Sequence, residues 1–406
     1  MGLLDRFKAQ RELHAQVKTC GADPFGVKMD KILSATEAQI EGRPTILCGS
    51  NNYLGFTFDA DCIEAAKQTL DECGTGTTGS RIANGSYHDH KALEQDLADF
   101  YGMKHCMVFT TGYQANLGAI STLAGPNDFL IIDADSHASI YDACKLGSAT
   151  VIRFKHNDPA DLDRRLARLA DEPGNKIVVV EGIYSMLGDH APLKEFVAVT
   201  KKHGAYILVD EAHSMGVMGK TGQGVVEHDG VLDQVDFITG TFSKSMGAIG
   251  GFLVSNIEDF DILRVACRPY MFTASLPPAT VASVRKSLAK LRANPGLMRK
   301  LWENVDTLYD GARAAGFTVG QQKGPVVAIH INDPALAARA WRALLLNGVY
   351  VNLALPPATP SGTALLRCSV SAAHSTEQLQ RVVATLASVG RELGILANPA
   401  HAVAAE

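Results

Sequence analysis

No stretch of this 406-residue chain is apolar for long. Its longest uncharged apolar runs, such as Ile177 to Val180, are the length of a strand, whereas a membrane span needs roughly 20 residues. A bilayer crossing is therefore not expected. Met1 to Gln16 alternates charged residues with Leu3, Leu4 and Phe7 and lacks the continuous apolar segment of a secretory signal, which points to a cytoplasmic protein. The segment reads as an arm packed on the body or on a partner subunit, the other reading being an amphipathic helix in peripheral contact with a membrane. Cys-x-x-Cys pairs are also missing: the eight cysteines stand singly at 20, 48, 62, 73, 106, 144, 267 and 368. That spacing suits neither a zinc site nor dithiol chemistry and suggests reduced, structural thiols. Nor is there a basic excess, since 38 Lys and Arg face 43 Asp and Glu for a net charge of −5, and nucleic acid is an improbable partner. Internal repeats and low-complexity blocks are absent too.

What is present has an ordinary globular balance, 46% hydrophobic and 20% charged, with enough length for a large domain and a smaller one. Short β-rich runs alternate with helical patterns at Cys106 to Phe109, Phe129 to Ile132, Thr150 to Arg153, Ile177 to Glu181, Ala205 to Val209, Phe237 to Gly240 and Gly251 to Val254. Such alternation predicts an α/β domain built on a mainly parallel seven-stranded sheet. A helix over Asp61 to Cys73 is bracketed by Asp59 or Asp61 as its cap and Gly74 beyond its end. After Asn294-Pro295-Gly296 the texture shifts to strands at Val326 to Ile331, Val349 to Leu353 and Ala364 to Val370 between helices, as in a smaller C-terminal α+β domain. Ser375 and Gln378 fit a capping box for a final helix whose Leu379, Val382, Val383, Leu386, Val389 and Leu393 recur at helical spacing. The expected organisation is an N-terminal segment over 1–58, a large domain over 59–290, a small domain over 291–396 and a loose tail over 397–406.

Chemistry gathers at strand ends. Asp210 closes the apolar run Ala205 to Val209, which places an acid at the carboxyl end of a buried strand, where open α/β sheets hold their ligands. After one more strand comes Gly240-Thr241-Phe242-Ser243-Lys244-Ser245, a polar turn offering one lysine among hydroxyl and small side chains. These are the parts pyridoxal 5'-phosphate (PLP) requires. A lysine amine forms a Schiff base with its aldehyde, and a carboxylate keeps its pyridine nitrogen protonated so that the ring can accept electrons. Taken singly, a loop lysine is usually solvated and a strand-end aspartate is often a cap; the pairing raises both. Thr110-Thr111-Gly112-Tyr113-Gln114-Ala115-Asn116 follows a strand and opens a helix, a place where free amides bind phosphate. His137 again follows a strand and is placed to lay its imidazole on a cofactor face.

Two rival readings fail on spacing. Asp210-Glu211-Ala212-His213 matches a helicase signature, but a nucleotide-driven motor needs an upstream phosphate loop, and the Gly-Lys-Thr at 219–221 lies downstream with Ser214 where the first glycine belongs. Asp210 with His213, or His88 with His90, offers two metal ligands without a third at metal spacing, so no metal is expected.

Asn51-Asn52-Tyr53-Leu54-Gly55, Gly79-Ser80-Arg81, Asp210-Glu211-Ala212-His213-Ser214 and Gly240-Thr241-Phe242-Ser243-Lys244 together closely resemble the α-oxoamine synthases, PLP enzymes of the aspartate-aminotransferase fold (type I). The resemblance runs from about residue 23 to 395. Within that family Asp135 to Asp142, Cys267 to Ser275 and Pro356-Pro357-Ala358-Thr359-Pro360 look most like the bacterial serine palmitoyltransferases.

The resemblance implies a PLP-dependent acyltransferase. An amino acid displaces Lys244, loses its α-proton, attacks an acyl thioester and releases its carboxylate as carbon dioxide. With L-serine and a palmitoyl-CoA-like donor, or an acyl carrier protein thioester, the product is a 3-ketosphinganine-type long-chain base, the first step of sphingolipid synthesis. The same resemblance stacks His137 on the ring, turns His213 to its phenolic oxygen with Ser185 helping to hold that side of the cofactor, and gives the phosphate to Thr241, Ser243 and the amides of Gly112 and Tyr113. Thr273 is implied to reach the phosphate of the neighbouring subunit in a homodimer, and Arg367 with Asn52 to grip the substrate carboxylate, a task that suits a guanidinium fork. One departure stands out: Leu355 occupies the position where those bacterial enzymes carry a second arginine, which keeps a sister branch of the glycine C-acetyltransferase or 8-amino-7-oxononanoate synthase type open. A non-catalytic regulatory subunit is the reading from another class, and the retained Lys244 argues against it.

Overall fold

The computed structural model describes residues 2–356, 358–359 and 362–397. It divides into two compact units, one of residues 54–185 and 190–299 and the other of residues 1–53, 186–189 and 300–406. The first fifty residues thus belong to the same unit as the C-terminal quarter of the chain.

The larger unit is organised by seven strands: β1 (His105–Phe109), β2 (Phe129–Asp133), β3 (Thr150–Phe154), β4 (Lys176–Glu181), β5 (Tyr206–Asp210), β6 (Phe237–Thr241) and β7 (Gly251–Ser255). Their order across the sheet is β1-β7-β6-β5-β4-β2-β3. Neighbours from β3 to β6 run parallel, and β7 runs against both β6 and β1. The expected mainly parallel seven-stranded sheet is therefore present, each strand within a residue or two of its sequence position. Val178, Val179 and Val180 in β4 and Ile207, Leu208 and Val209 in β5 are all solvent-inaccessible, as parallel strands covered on both faces require. Helices α1 (Gly112–Leu123) and α2 (Ala138–Leu146) follow β1 and β2 and pack Ala115, Ala119, Ile120, Ile140 and Ala143 into the core that the strands build.

Register sets up the functional end. Glu181 of β4 lies opposite Asp210 of β5, and Asp210 opposite Thr239 of β6. Residues in register on parallel strands point to one face, so the two acids that end β4 and β5 and the Thr239 hydroxyl in the middle of β6 fall in one row.

The smaller unit holds two sheets. Lys31–Ile32, Glu37–Ile40, Arg43–Leu47 and Val349–Tyr350 make one; Val326–Ile331, Ala364–Ser369 and Asn352–Ala354 make the other. The single strand expected over Val349 to Leu353 is thus two. Its first half pairs parallel to Arg43–Leu47 and its second half antiparallel to Ala364–Ser369, because one short segment serves the edges of two sheets. The helix expected over Asp61 to Cys73 runs over Ala60–Cys73 with Asp59 as its cap, and the final helix, Thr376–Glu392, has the Ser375/Gln378 capping box. All but the first residue of the tail expected over 397–406 lies outside the described residues, as do Pro357 and Pro360. No helix among the described residues is long and apolar enough to cross a membrane, and all eight cysteines are free.

Next to Asp210, Glu211 turns away into the body. Its fully buried carboxylate accepts from the Val225 and Val226 amides at 3.1 and 2.8 Å and from the Ser214 hydroxyl, pinning the start of the short helix Val225–His228. Burial outweighs these bonds and pushes its pKa up to about 7. A folded-state pKa above the unfolded value gives a stability contribution that is complete below about pH 4.5 and lost as pH rises through about 7. Glu211→Gln cannot ionise, so the melting temperature of the variant should gain on that of the parent by several degrees between pH 5 and pH 8. A difference that stays flat across that range would show that Glu211 is ionised throughout.

Candidate active site

A cavity of about 300 Å³ opens at the carboxyl ends of β4, β5 and β6 and is lined by Gly112, Tyr113, Asn116, His137, Glu181, Asp210, His213, Thr241, Ser243 and Lys244 among others. Eight of the residues singled out in the sequence meet here: Gly112, Tyr113, His137, Asp210, His213, Thr241, Ser243 and Lys244. They come from the ends of separate strands and the loops after them. The strand-then-turn pattern delivers each one to the same edge of the sheet.

At one end α1 begins. Thr111 caps it by accepting from the Gln114 amide at 3.0 Å, which leaves the first-turn amides of Gly112 and Tyr113 outside the helical ladder. Gly112 is required by close approach: a Cβ there would lie 2.6 Å from Cβ of Thr241 and 2.9 Å from its hydroxyl oxygen. Thr241 donates its hydroxyl to the Gly250 carbonyl at 2.9 Å and lies 2.9 Å from the Ser243 hydroxyl. Two backbone amides at a helix N-terminus and the exposed Ser243 hydroxyl thus converge where an anion is stabilised.

At the other end is Asp210, 5% exposed. Its carboxylate accepts from Asn116 Nδ2 at 2.6 Å and from the Ala212 amide at 2.9 Å. A carboxylate has about four lone-pair positions, so capacity remains for a cation or a protonated ring nitrogen on the cavity side. Lys244, half-buried, and His213, 4% exposed, complete the wall.

His137 caps α2 through its ring, with Nδ1 accepting from the Ser139 amide at 3.2 Å and lying 2.7 Å from the Ser139 hydroxyl. Its backbone amide donates to Glu181 Oε1 at 2.5 Å. The ring opens to the cavity, yet the enclosing walls displace enough water to lower its pKa, against the pull of Asp210 and with the help of Lys244. Glu181, 3% exposed, is pushed well above the carboxylate range by burial and then by Asp210, with which it shares the strand ends.

Ser185 and Thr273 do not line this cavity. Ser185 is half-buried a few residues past β4, and Thr273 lies beside α1, where its hydroxyl accepts from Gln114 Nε2 at 3.2 Å. Asn52 and Arg367 belong to the smaller unit. There both are buried, and the Arg367 guanidinium donates to Asn51 Oδ1 at 3.3 Å and to the Ser369 hydroxyl at 3.0 Å. Leu355 of the same unit is 4% exposed.

Among the cavity residues that sequence reasoning passed over, Glu181 and Asn116 carry the chemistry. Glu181 ends an apolar run just as Asp210 does, and the same strand-end argument would have found it. Asn116 lies one helical turn after Gly112, on the face of α1 that the glycine presents to the cavity, and was read only as part of a phosphate-binding turn.

Comparison with known proteins agrees with this geometry. The aminotransferase class I and II family profile matches residues 43–386. A serine palmitoyltransferase of Caulobacter vibrioides is 58% identical over 396 residues, covering 98% of both chains. One of Sphingomonas paucimobilis is 54% identical over 376 residues, covering 92% of this chain and 89% of that one. The solved structure of SPT with its PLP internal aldimine superposes with a TM-score of 0.95 at 52% identity, covering 98% of this chain and all of that one.

With Nδ1 occupied as an acceptor and the exposed ring partly desolvated by the cavity walls, His137 should stay neutral to lower pH than a fully solvated histidine. An NMR titration is expected to place its midpoint below 6.5; a midpoint at or above that value would mean that the Asp210 carboxylate outweighs the enclosure.

Proposed function

We propose that this chain, a member of the aminotransferase class I and II family, is a PLP enzyme that condenses L-serine with a long-chain acyl thioester and releases carbon dioxide. The observation that carries the reading is the cavity itself. An anion cradle at Gly112, Tyr113, Thr241 and Ser243 and a buried carboxylate at Asp210 stand at its two ends, with Lys244 in its wall. That donor set fits PLP, which presents a phosphate, a pyridine nitrogen and an aldehyde. When bound, PLP supplies an electrophilic carbon and a ring that takes up the electron pair released at the substrate α-carbon.

The chain's own residues supply the rest. The amides of Gly112 and Tyr113 and the hydroxyl of Ser243 hold the phosphate, and Thr241, whose hydroxyl donates to the Gly250 carbonyl, is assigned to it on the family pattern. Asp210, fixed by Asn116 and the Ala212 amide, holds a proton on the ring nitrogen. Lys244 Nζ is the covalent anchor and, once displaced by the amino acid, the base that takes the α-proton. His137 covers one face of the ring and His213 serves its phenolic oxygen; Ser185, which does not line the cavity, is assigned to that side of the ring on the family pattern alone. Arg367 and Asn52 are assigned the substrate carboxylate on the family pattern. The acyl carbon exchanges its bond to the thiolate, which departs, for a bond to the serine α-carbon; the serine carboxylate then leaves as carbon dioxide and a proton takes its place on the α-carbon, so that a 3-keto long-chain base remains.

Relatives at 54–58% identity carry the serine palmitoyltransferase name. That support outweighs the sister synthases that Leu355 kept open. A homodimer fits two features of the larger unit: Thr273 lies outside its own chain's cavity, and Ile262, Val265 and Phe272, close to it in sequence, are 60–68% exposed. Cytoplasmic location is part of the same proposal, with the N-terminal segment read as an arm packed on the body or on a partner subunit and membrane contact by Leu3, Leu4 and Phe7 as the other reading.

Purified enzyme supplied with PLP, L-serine and palmitoyl-CoA is expected to release coenzyme A and a 3-keto base, whereas glycine or alanine with acetyl or pimeloyl thioesters should give little product. The reverse preference would overturn the serine assignment. Lys244→Ala should abolish turnover and the visible band of the bound cofactor. Gly112→Ala should weaken PLP binding at least tenfold in an absorbance titration, because the new methyl group presses on Thr241; unchanged affinity would remove Gly112 from the cradle.

A further inference from the structure

Asn116 is 2% exposed and touches three groups that matter to the cavity, although its backbone is only the fifth residue of α1. Its Nδ2 donates to Asp210 Oδ2 at 2.6 Å and to the Ser139 hydroxyl at 3.0 Å, while its Oδ1 accepts from the Thr239 hydroxyl at 2.8 Å. The carboxylate decides which way the amide faces. An ionised Asp210 accepts only, so the NH₂ end must point to it and the carbonyl end to Thr239. Ser139 Oγ then receives a proton from Asn116, and its own hydroxyl proton is directed to the remaining partner, His137 Nδ1, 2.7 Å away. The Ser139 backbone amide also points at that nitrogen, from 3.2 Å. Two donors converging on Nδ1 leave it no proton of its own.

We infer that Asn116, acting through Ser139, is a positioning residue that sets the Asp210 carboxylate and holds His137 in the tautomer with its proton on Nε2. The orientation runs in one direction from a single amide. Thr239, beside Asp210 on the next strand, fixes the carbonyl end; the NH₂ end fixes Asp210 and Ser139; Ser139 fixes the imidazole. Asp210, Ser139 and Thr239 are each at most 5% exposed, so water does not compete for these bonds, and each partner lost would leave a buried group unsatisfied. The two sides of the cavity that a planar ring must satisfy together, its nitrogen and its face, are thereby oriented by one side chain. The inference rests on the proposed function for the identity of that ring, but not for the tautomer.

The test uses the full-length chain with ¹⁵N-labelled histidine, prepared without and with PLP, the His137 signal being assigned by its loss in His137→Asn. In the PLP-free parent, Nδ1 should resonate as a bare, hydrogen-bonded ring nitrogen and Nε2 as a protonated one. Ser139→Ala and Asn116→Ala should each move the pair toward a mixture of tautomers, and Ser139→Thr, which keeps the hydroxyl, should restore the parent pattern. An Nδ1 signal that is already protonated in the parent, or is indifferent to both alanine variants, overturns the relay whatever the enzyme turns over. In the PLP titration Asn116→Ala should weaken binding about ten- to a hundredfold, the loss expected of a buried charge-assisted bond. Unchanged affinity there would overturn the Asp210 half. A parent chain that binds no PLP would instead refute the proposed function and leave the histidine result to decide the relay.

Discussion

A carboxylate buried at the end of a parallel sheet is the constraint around which the larger unit is arranged. Ile207, Leu208 and Val209 lead to Asp210 through a core that water does not enter, and a charge at that place costs several kcal/mol unless hydrogen bonds replace its hydration. Asn116 and the Ala212 amide supply two of them. What remains unspent faces the cavity and demands a cationic partner, so the residue that is hardest to bury is also the one that defines what the cavity can bind.

The same demand explains why the neighbouring acid behaves differently. Glu181 shares the strand end with Asp210, and two adjacent carboxylates in a dry site do not both ionise at low cost. Asp210 is held by donors aimed at its charge; Glu181 receives the His137 amide and is pushed toward the neutral form. Two chemically similar side chains thus take different parts, one as the charge and one as the support for the backbone that carries His137.

Helix α1 links the two ends of the cavity. Its first turn offers amides to an anion where Thr111 caps it, and its second turn sends Asn116 to Asp210. Because an α-helix rises 1.5 Å per residue, the four steps from Gly112 to Asn116 span about 6 Å, which sets the separation between an anion cradle and a carboxylate without any flexible segment. Gly112 allows the helix to approach Thr241 closely, so cradle and carboxylate are set by one rigid element.

Much of this was written along the chain. The apolar runs that end in Asp210 and Glu181, the Thr111-Gly112 helix start, and the lone Lys244 in a polar turn each follow from local pattern, because strand burial and helix capping depend on neighbours a few residues away. The Ser375/Gln378 box and the Asp59 cap were legible for the same reason. Only the tertiary structure decided the rest. The register that sets Glu181 beside Asp210 beside Thr239, the amide of Asn116 reaching 94 residues along the chain to Asp210, the split of Val349 to Ala354 between two sheets, and the union of residues 1–53 with 300–406 are all choices of long-range pairing. A sequence states which residues are apolar, charged or able to cap, since those are properties of single side chains and short windows. It does not state which distant strands share an edge, since that is settled by the packing of the whole core.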